Sequence, residues 1–191
     1  SQPRPATEGE LQWLFARRQK SIDLRESLLK KAATRLTESQ RISAVPSFSL
    51  SCIPTFPSQS LLSLRELARI ASEARGDWET PLGMGDQTSA ADAVICRAFE
   101  KKNPANPAGA DTFFFTQLDV FGLAYHWSHI PVIEGRVPAL NQYSVIARLR
   151  VFLQWVEAVY KKAGYFGLVN VQVRLLSIKG HSLFQKDSLG F

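Results

Sequence analysis

The stretch from Asp111 to Ile130, DTFFFTQLDVFGLAYHWSHI, constrains the fold more than any other part of the chain. Two apolar, aromatic runs flank Asp119-Val120-Phe121-Gly122, and Asp at the first with Gly at the fourth position of a four-residue bend favours a type I turn. The segment reads as a buried β-hairpin. Neighbouring Cβ atoms on a strand alternate, so Phe113 and Phe115 share one face while Phe114 takes the other. Both faces of the hairpin therefore need cover.

The chain has 191 residues, enough for one sizeable core, and a domain of this size buries roughly 70% of the surface its unfolded chain exposes. Hydrophobic residues at 45% and charged residues at 21% exclude global disorder. No apolar run approaches the ~20 residues needed to cross a bilayer, so no membrane span is expected. Cys52 and Cys96 are too few to staple the fold and sit in strand-like apolar runs, which points to buried thiols and a reducing cytoplasm. Met84 is the only methionine, and a chain opening on Ser1-Gln2-Pro3 reads as a fragment of something longer or a processed product.

Thr7-Glu8-Gly9-Glu10 has the form of a capping box, and the spacing predicts a long helix from there to about Thr37. Leu11, Leu14, Phe15, Ile22, Leu28, Leu29, Ala32 and Leu36 recur at three and four residues, but Arg18 and Arg25 interrupt the stripe. An outlying, partly docked connector helix is expected over residues 1–41, with residues 42–191 forming one α+β domain. Between Ser43 and Phe56 the pattern alternates, predicting a half-buried strand with Phe48, Leu50 and Cys52 inward and Ser47, Ser49 and Ser51 outward. Ser63-Leu64-Arg65-Glu66 is a second capping box and opens a helix over Leu61 to Arg75.

Gly76 to Asp92 has no period and reads as loop, with Trp78 as an inward anchor. Ala93 to Lys101 reads as a strand, and Lys101 to Ala110, with two prolines, as a connecting loop. The clearest helix runs from Asn141 to Ala163, where Val145, Leu149, Phe152, Val156 and Val159 step by four and three, Ile146, Leu153 and Tyr160 widen the stripe, and Lys161 and Lys162 oppose the helix dipole. A strand follows with Val169, Val171, Val173 and Leu175 facing in, and a short strand or turn lies at Gly180 to Gln185. This order predicts a mostly antiparallel sheet with helices packed on it.

Candidate chemistry is sparse. His126 and His129 lie three apart on a strand, so their rings point to opposite faces and do not converge on a metal. Gly180-His181-Ser182-Leu183 begins like a nucleophile elbow, but Phe184 stands where glycine is required. Gly83-Met84-Gly85-Asp86 lacks the lysine and preceding strand of a phosphate loop. Asp119 is explained by the turn itself, and Arg148 and Arg150, with Arg136 before them, point in different directions from one helix. No catalytic residue, metal or cofactor is assigned.

Charge offers the one functional signal. The net charge is +6, and residues 1–41 carry nine basic against five acidic residues. Arg17, Arg18, Lys20, Lys30, Lys31 and Arg35 form a candidate nucleic-acid contact along the helix, each phosphate contact adding salt-sensitive affinity.

Glu10 to Leu36, ELQWLFARRQKSIDLRESLLKKAATRL, resembles the helix that follows the Schlafen-type AlbA_2 domain in bacterial multidomain proteins. Ser51 to Pro57 (SCIPTFP) and Leu118 to Gly122 (LDVFG) are similar in order to the region beyond it. The resemblance implies a C-terminal accessory domain of a larger bacterial regulatory or defence-type protein, whose nucleotide or nucleic-acid chemistry sits in the preceding domain. A homo-oligomer or that preceding domain is then the expected partner. The other readings are a small-ligand sensor with its pocket between the aromatic hairpin and the 141–163 helix, and an enzyme.

Overall fold

The computed structural model describes residues 5–38, 46–74, 81–82, 85–99, 113–133 and 139–184. Each of its helices starts where a polar side chain takes up an otherwise unpaired backbone N–H. Thr7 Oγ1 accepts from Glu10 N at 3.3 Å while Glu10 Oε2 accepts from Thr7 N at 2.7 Å, opening α1 (Glu8–Glu38). Ser63 and Glu66 repeat the exchange at 3.2 and 2.7 Å before α2 (Leu64–Ala74). Asn141 Oδ1 accepts from Ser144 N at 3.2 Å and caps α3 (Gln142–Lys162).

The strands are β1 (Ser47–Pro54), β2 (Asp86–Ser89), β3 (Ala93–Phe99), β4 (Phe113–Asp119), β5 (Ala124–His129), β6 (Val132–Ile133), β7 (Ala139–Asn141), β8 (Val169–Leu176) and β9 (Ser182–Phe184). Six of them form one antiparallel sheet in the order β2-β3-β4-β5-β1-β8. A second, small sheet is ordered β6-β7-β9, with β7 and β9 parallel. The fold is α+β, with a long N-terminal helix on an antiparallel sheet.

The aromatic hairpin is β4–β5, closed by the turn Val120–Leu123, where Gly122 N donates to Asp119 O and Asp119 N donates to Leu123 O, both at 3.0 Å. Gly122 has φ +84°, the left-handed conformation that ends such a loop. A Cβ built there would stand 2.7 Å from Leu61 Cδ2 and 3.3 Å from Tyr160 Cε1. Gly122→Ala is thus expected to destabilise by about 2 kcal/mol, from backbone strain and the Leu61 clash together. A thermal melt should show a midpoint lower by roughly 4–8 °C; an unchanged midpoint would show that the loop relaxes freely.

Side chains alternate across the sheet, so it presents two apolar faces. Phe48, Leu50, Cys52, Val94, Cys96, Phe114 and Leu118 pack against Leu67 and Ile70 of α2 and Phe152 and Val156 of α3. Ile53, Ile95, Phe115 and Trp127 pack on the opposite face against Leu28, Ala32 and Leu36 of α1. Both faces of the hairpin are covered, as its aromatic content requires. Only the second half of α1 docks; residues 8–20 are exposed throughout, a projection of about 20 Å at 1.5 Å per residue.

Three expectations change. Ser47, Ser49 and Ser51, read as outward, are at most 5% exposed because α1 covers their side of the sheet. Val169, Val171, Val173 and Leu175, read as inward, are 38–47% exposed. They sit on the α3 side of an edge strand, while α3 itself lies further in, where Tyr160 reaches Cys52 of β1 and Arg148 reaches Ser128 of β5. Asp86–Ser89, read as loop, pairs with β3. Trp78, Gly83, Met84, Arg136 and the connection Lys101 to Ala110 lie outside the described residues.

Candidate functional site

A polar group inside a sheet core is costly unless it is hydrogen-bonded, so buried polar side chains are the first place to look for chemistry. His126 of β5 points under α3, with Nδ1 2.8 Å from Thr116 Oγ1. The rings of Phe48, Phe114 and Phe152 surround it, their centroids 5.9, 6.1 and 6.3 Å away. Burial pushes the imidazole down to about 3, with the Arg148 charge adding to it. Arg148 itself donates to Ser128 Oγ, and burial lowers its own affinity for the proton. The space between hairpin and α3, read from sequence as a sensor pocket, is filled around His126 by these rings. His129 stacks edge-on against Trp127 at 5.0 Å on the other face, so the two imidazoles diverge as their spacing requires.

Asp119 is 1% exposed. Its Oδ1 accepts from Phe121 N and Leu123 N, each at 2.9 Å, while its buried Oδ2 has no hydrogen-bond partner. Burial pushes the carboxyl up to about 7, and the nearby Asp92 charge adds to that, against the two backbone donors and Arg35. The carboxyl therefore holds the turn, as the sequence suggested, but largely as the neutral acid below neutral pH. Tyr160 donates to Gly122 O at 2.9 Å, locking α3 to the same turn.

The six basic residues of α1 have different surroundings. Lys31 Nζ donates to Asp92 Oδ2 at 2.7 Å and Arg35 bonds the other oxygen, clamping α1 to the β2–β3 connection. Burial alone would raise the Asp92 carboxyl; the hydrogen bonds and charges of Lys31 and Arg35 outweigh it and hold the group below its ordinary value. Arg17 stacks over Trp13 at 5.3 Å, and Arg18 lines an open cleft of about 430 Å3 with Leu14, Phe15 and Phe56. Lys20 and Lys30 are exposed. Arg150 is exposed too, turned away from the inward Arg148.

Among the described residues no three His, Cys, Asp or Glu side chains group as a metal site. No helix among them is long and apolar enough to cross a membrane. Cys52 and Cys96 are buried free thiols, and burial pushes Cys96 up to about 11.

What stands out instead is apolar surface. On the projecting half of α1, Leu11, Leu14 and Phe15 are 44–66% exposed and continue the stripe that Leu28, Ala32 and Leu36 bury further on. At the far side of the sheet, β8 and the turn before it expose valines, leucines and Phe166. Sequence reasoning missed the second surface because alternation says which residues share a face, not whether anything covers it. It also missed Asp92 as a clamp and the Thr116–His126 pair, which the register of β4 and β5 sets opposite each other. Comparisons with protein-family models, with curated proteins and with solved structures find no match to this chain.

Proposed function

We propose that this chain is an interaction domain that self-associates through its exposed apolar surface. The observation that carries this is the concentration of that surface in two places, the projecting half of α1 and the β8 edge with Phe166, which is 85% exposed. A monomer's largest apolar patch runs to roughly 300–600 Å2, and larger ones mark contact sites. The polar groups a catalyst would use are tied into structure: Asp119 by its turn, His126 by Thr116 among phenylalanines, Tyr160 by Gly122 O. An accessory role in a larger bacterial regulatory or defence-type protein is supported by the AlbA_2-type likeness of the short pieces alone. The reading of α1 as a nucleic-acid contact draws less support, since Lys31 and Arg35 are spent on Asp92.

Light scattering from about 1 μM to about 1 mM, the range over which weak dimers form, tests the reading. The weight-average mass is expected to rise with concentration. A mass fixed at the monomer value of 21.3 kDa throughout would overturn it.

A further inference from the structure

The two edges of the main sheet differ in how they guard their unpaired backbone groups. An edge strand is ordinarily blunted by shortness, charge, proline or a bulge, because its free N–H and C=O groups invite another strand. β2, at one edge, is four residues long, polar and exposed. β8, at the other, runs eight residues, VNVQVRLL, with no proline and a single charge at Arg174. Among the described residues nothing pairs with its outer side.

A strand that pairs antiparallel with its own copy about an axis normal to the sheet places residues opposite each other symmetrically about one central position. With Gln172 at the centre, Leu168 falls opposite the second copy's Leu176, Val169 opposite its Leu175, and Val171 opposite its Val173. Every one of these side chains is 38–76% exposed in the single chain. On the polar face Asn170 meets Arg174, whose guanidinium finds an amide oxygen rather than a like charge. Moving the centre one residue, to Val173, keeps Val171 against Leu175 but sets Asn170 against Leu176 and Val169 against Ser177, so the centre at Gln172 gives the fuller match. Phe166, 85% exposed in the turn before the strand, extends the apolar surface at this edge.

We propose that β8 pairs antiparallel with β8 of a second copy, about a two-fold axis at Gln172, joining the two main sheets into one. This rests on the self-association reading and names the surface and register that produce it.

Single-cysteine variants of the full chain, oxidised in a glutathione buffer and run on non-reducing gels, test the register. Opposed Cα atoms in an antiparallel pair lie about 4.5–5.5 Å apart, within the span of a disulfide. Gln172→Cys is therefore expected to form a covalent dimer. Asn170→Cys alone is not, its copies being offset by four residues or about 13 Å, but it should cross-link when mixed with Arg174→Cys. Cys52 and Cys96 are buried and stay out of the reaction. Equal cross-linking of Gln172→Cys and Asn170→Cys overturns the register. Association of the parent chain with no Gln172→Cys dimer overturns β8 pairing while leaving self-association standing; a parent chain that never associates overturns both. As a second arm free of cysteine, Val173→Lys is expected to return the dimer to monomer with unchanged circular dichroism, and a surviving dimer would count against the proposal.

Discussion

Trp127→Ala is expected to lower the unfolding free energy by about 3–5 kcal/mol, the range for truncating a large buried aromatic. Trp127 is 1% exposed and sits among Leu28, Ala32, Leu36, Ile53, Ile95 and Phe115, so its indole is what α1 rests on. Its removal leaves a void between the sheet and a helix held otherwise by Leu28, Ala32 and Leu36, the partly buried Leu24 and Leu29, the Arg25 bond to Thr55 O and the Asp92 clamp. Two measurements are informative together. Urea denaturation should show a fall in midpoint that consumes much of the ~5–15 kcal/mol a domain possesses. Hydrogen exchange should show α1 amides losing protection before those of β4 and β5, because the other face keeps its own packing on α2 and α3. Uniform loss across both faces would mean that α1 is not a separable layer.

The second large effect is hidden in the parent chain and exposed by substitution. The Asp119 carboxyl titrates at about 7 in the folded state against an ordinary 3.8. Between those values the folded chain holds a proton the unfolded one has lost, so Asp119 contributes stability below pH 4 that disappears as pH rises through 7. His126 behaves in the opposite sense, at about 3 when folded against 6.5. Between those values the unfolded chain holds the extra proton, so its contribution is present above pH 6.5 and lost on acidification. From about pH 4 to 6.5 the two slopes are each about 1.4 kcal/mol per pH unit with opposite sign, and they cancel.

Asp119→Asn keeps the Oδ1 acceptor for Phe121 N and Leu123 N and removes the titration. Its stability relative to the parent is expected to climb by about 3 kcal/mol from pH 4 to 6.5. His126→Phe should fall by a similar amount over the same interval, in addition to a pH-independent cost of about 1–3 kcal/mol for leaving Thr116 Oγ1 unpaired. Denaturant titrations of the three proteins across pH read both slopes. Parallel curves for Asp119→Asn and the parent would show the carboxylate to be ionised when folded.

Local signals carried a good part of this fold. Thr7 with Glu10 and Ser63 with Glu66 announced two helix starts because a capping box is a contact between near neighbours, complete before any tertiary structure forms. Asp119 and Gly122 announced the hairpin for the same reason. The α3 stripe was readable in part: Phe152, Val156 and Val159 bury more than anything else on that helix, whereas Ile146 and Leu153, read into the stripe, are exposed and Trp155, left out of it, is buried. β2 was not readable: Asp-Gln-Thr-Ser has no apolar period, and pairing with β3 alone makes it a strand.

The candidate site was less legible. Arg17, Arg18, Lys20, Lys30, Lys31 and Arg35 look alike in a sequence, and only the approach of Asp92 from 57 and 61 residues away separates the two that clamp the helix from the rest. β1 and β8 make the point in opposite directions. Both alternate cleanly, so the chain by itself determined that Phe48, Leu50 and Cys52 share a side, and that Val171, Val173 and Leu175 do. Which of those sides meets water depended on where α1 and α3 came to rest, since a helix is about 10 Å across and covers two neighbouring strands at their ~4.8 Å spacing, not the whole sheet. The serines of β1 fell under α1 and were buried, and the valines of β8 fell beyond α3 and were left open.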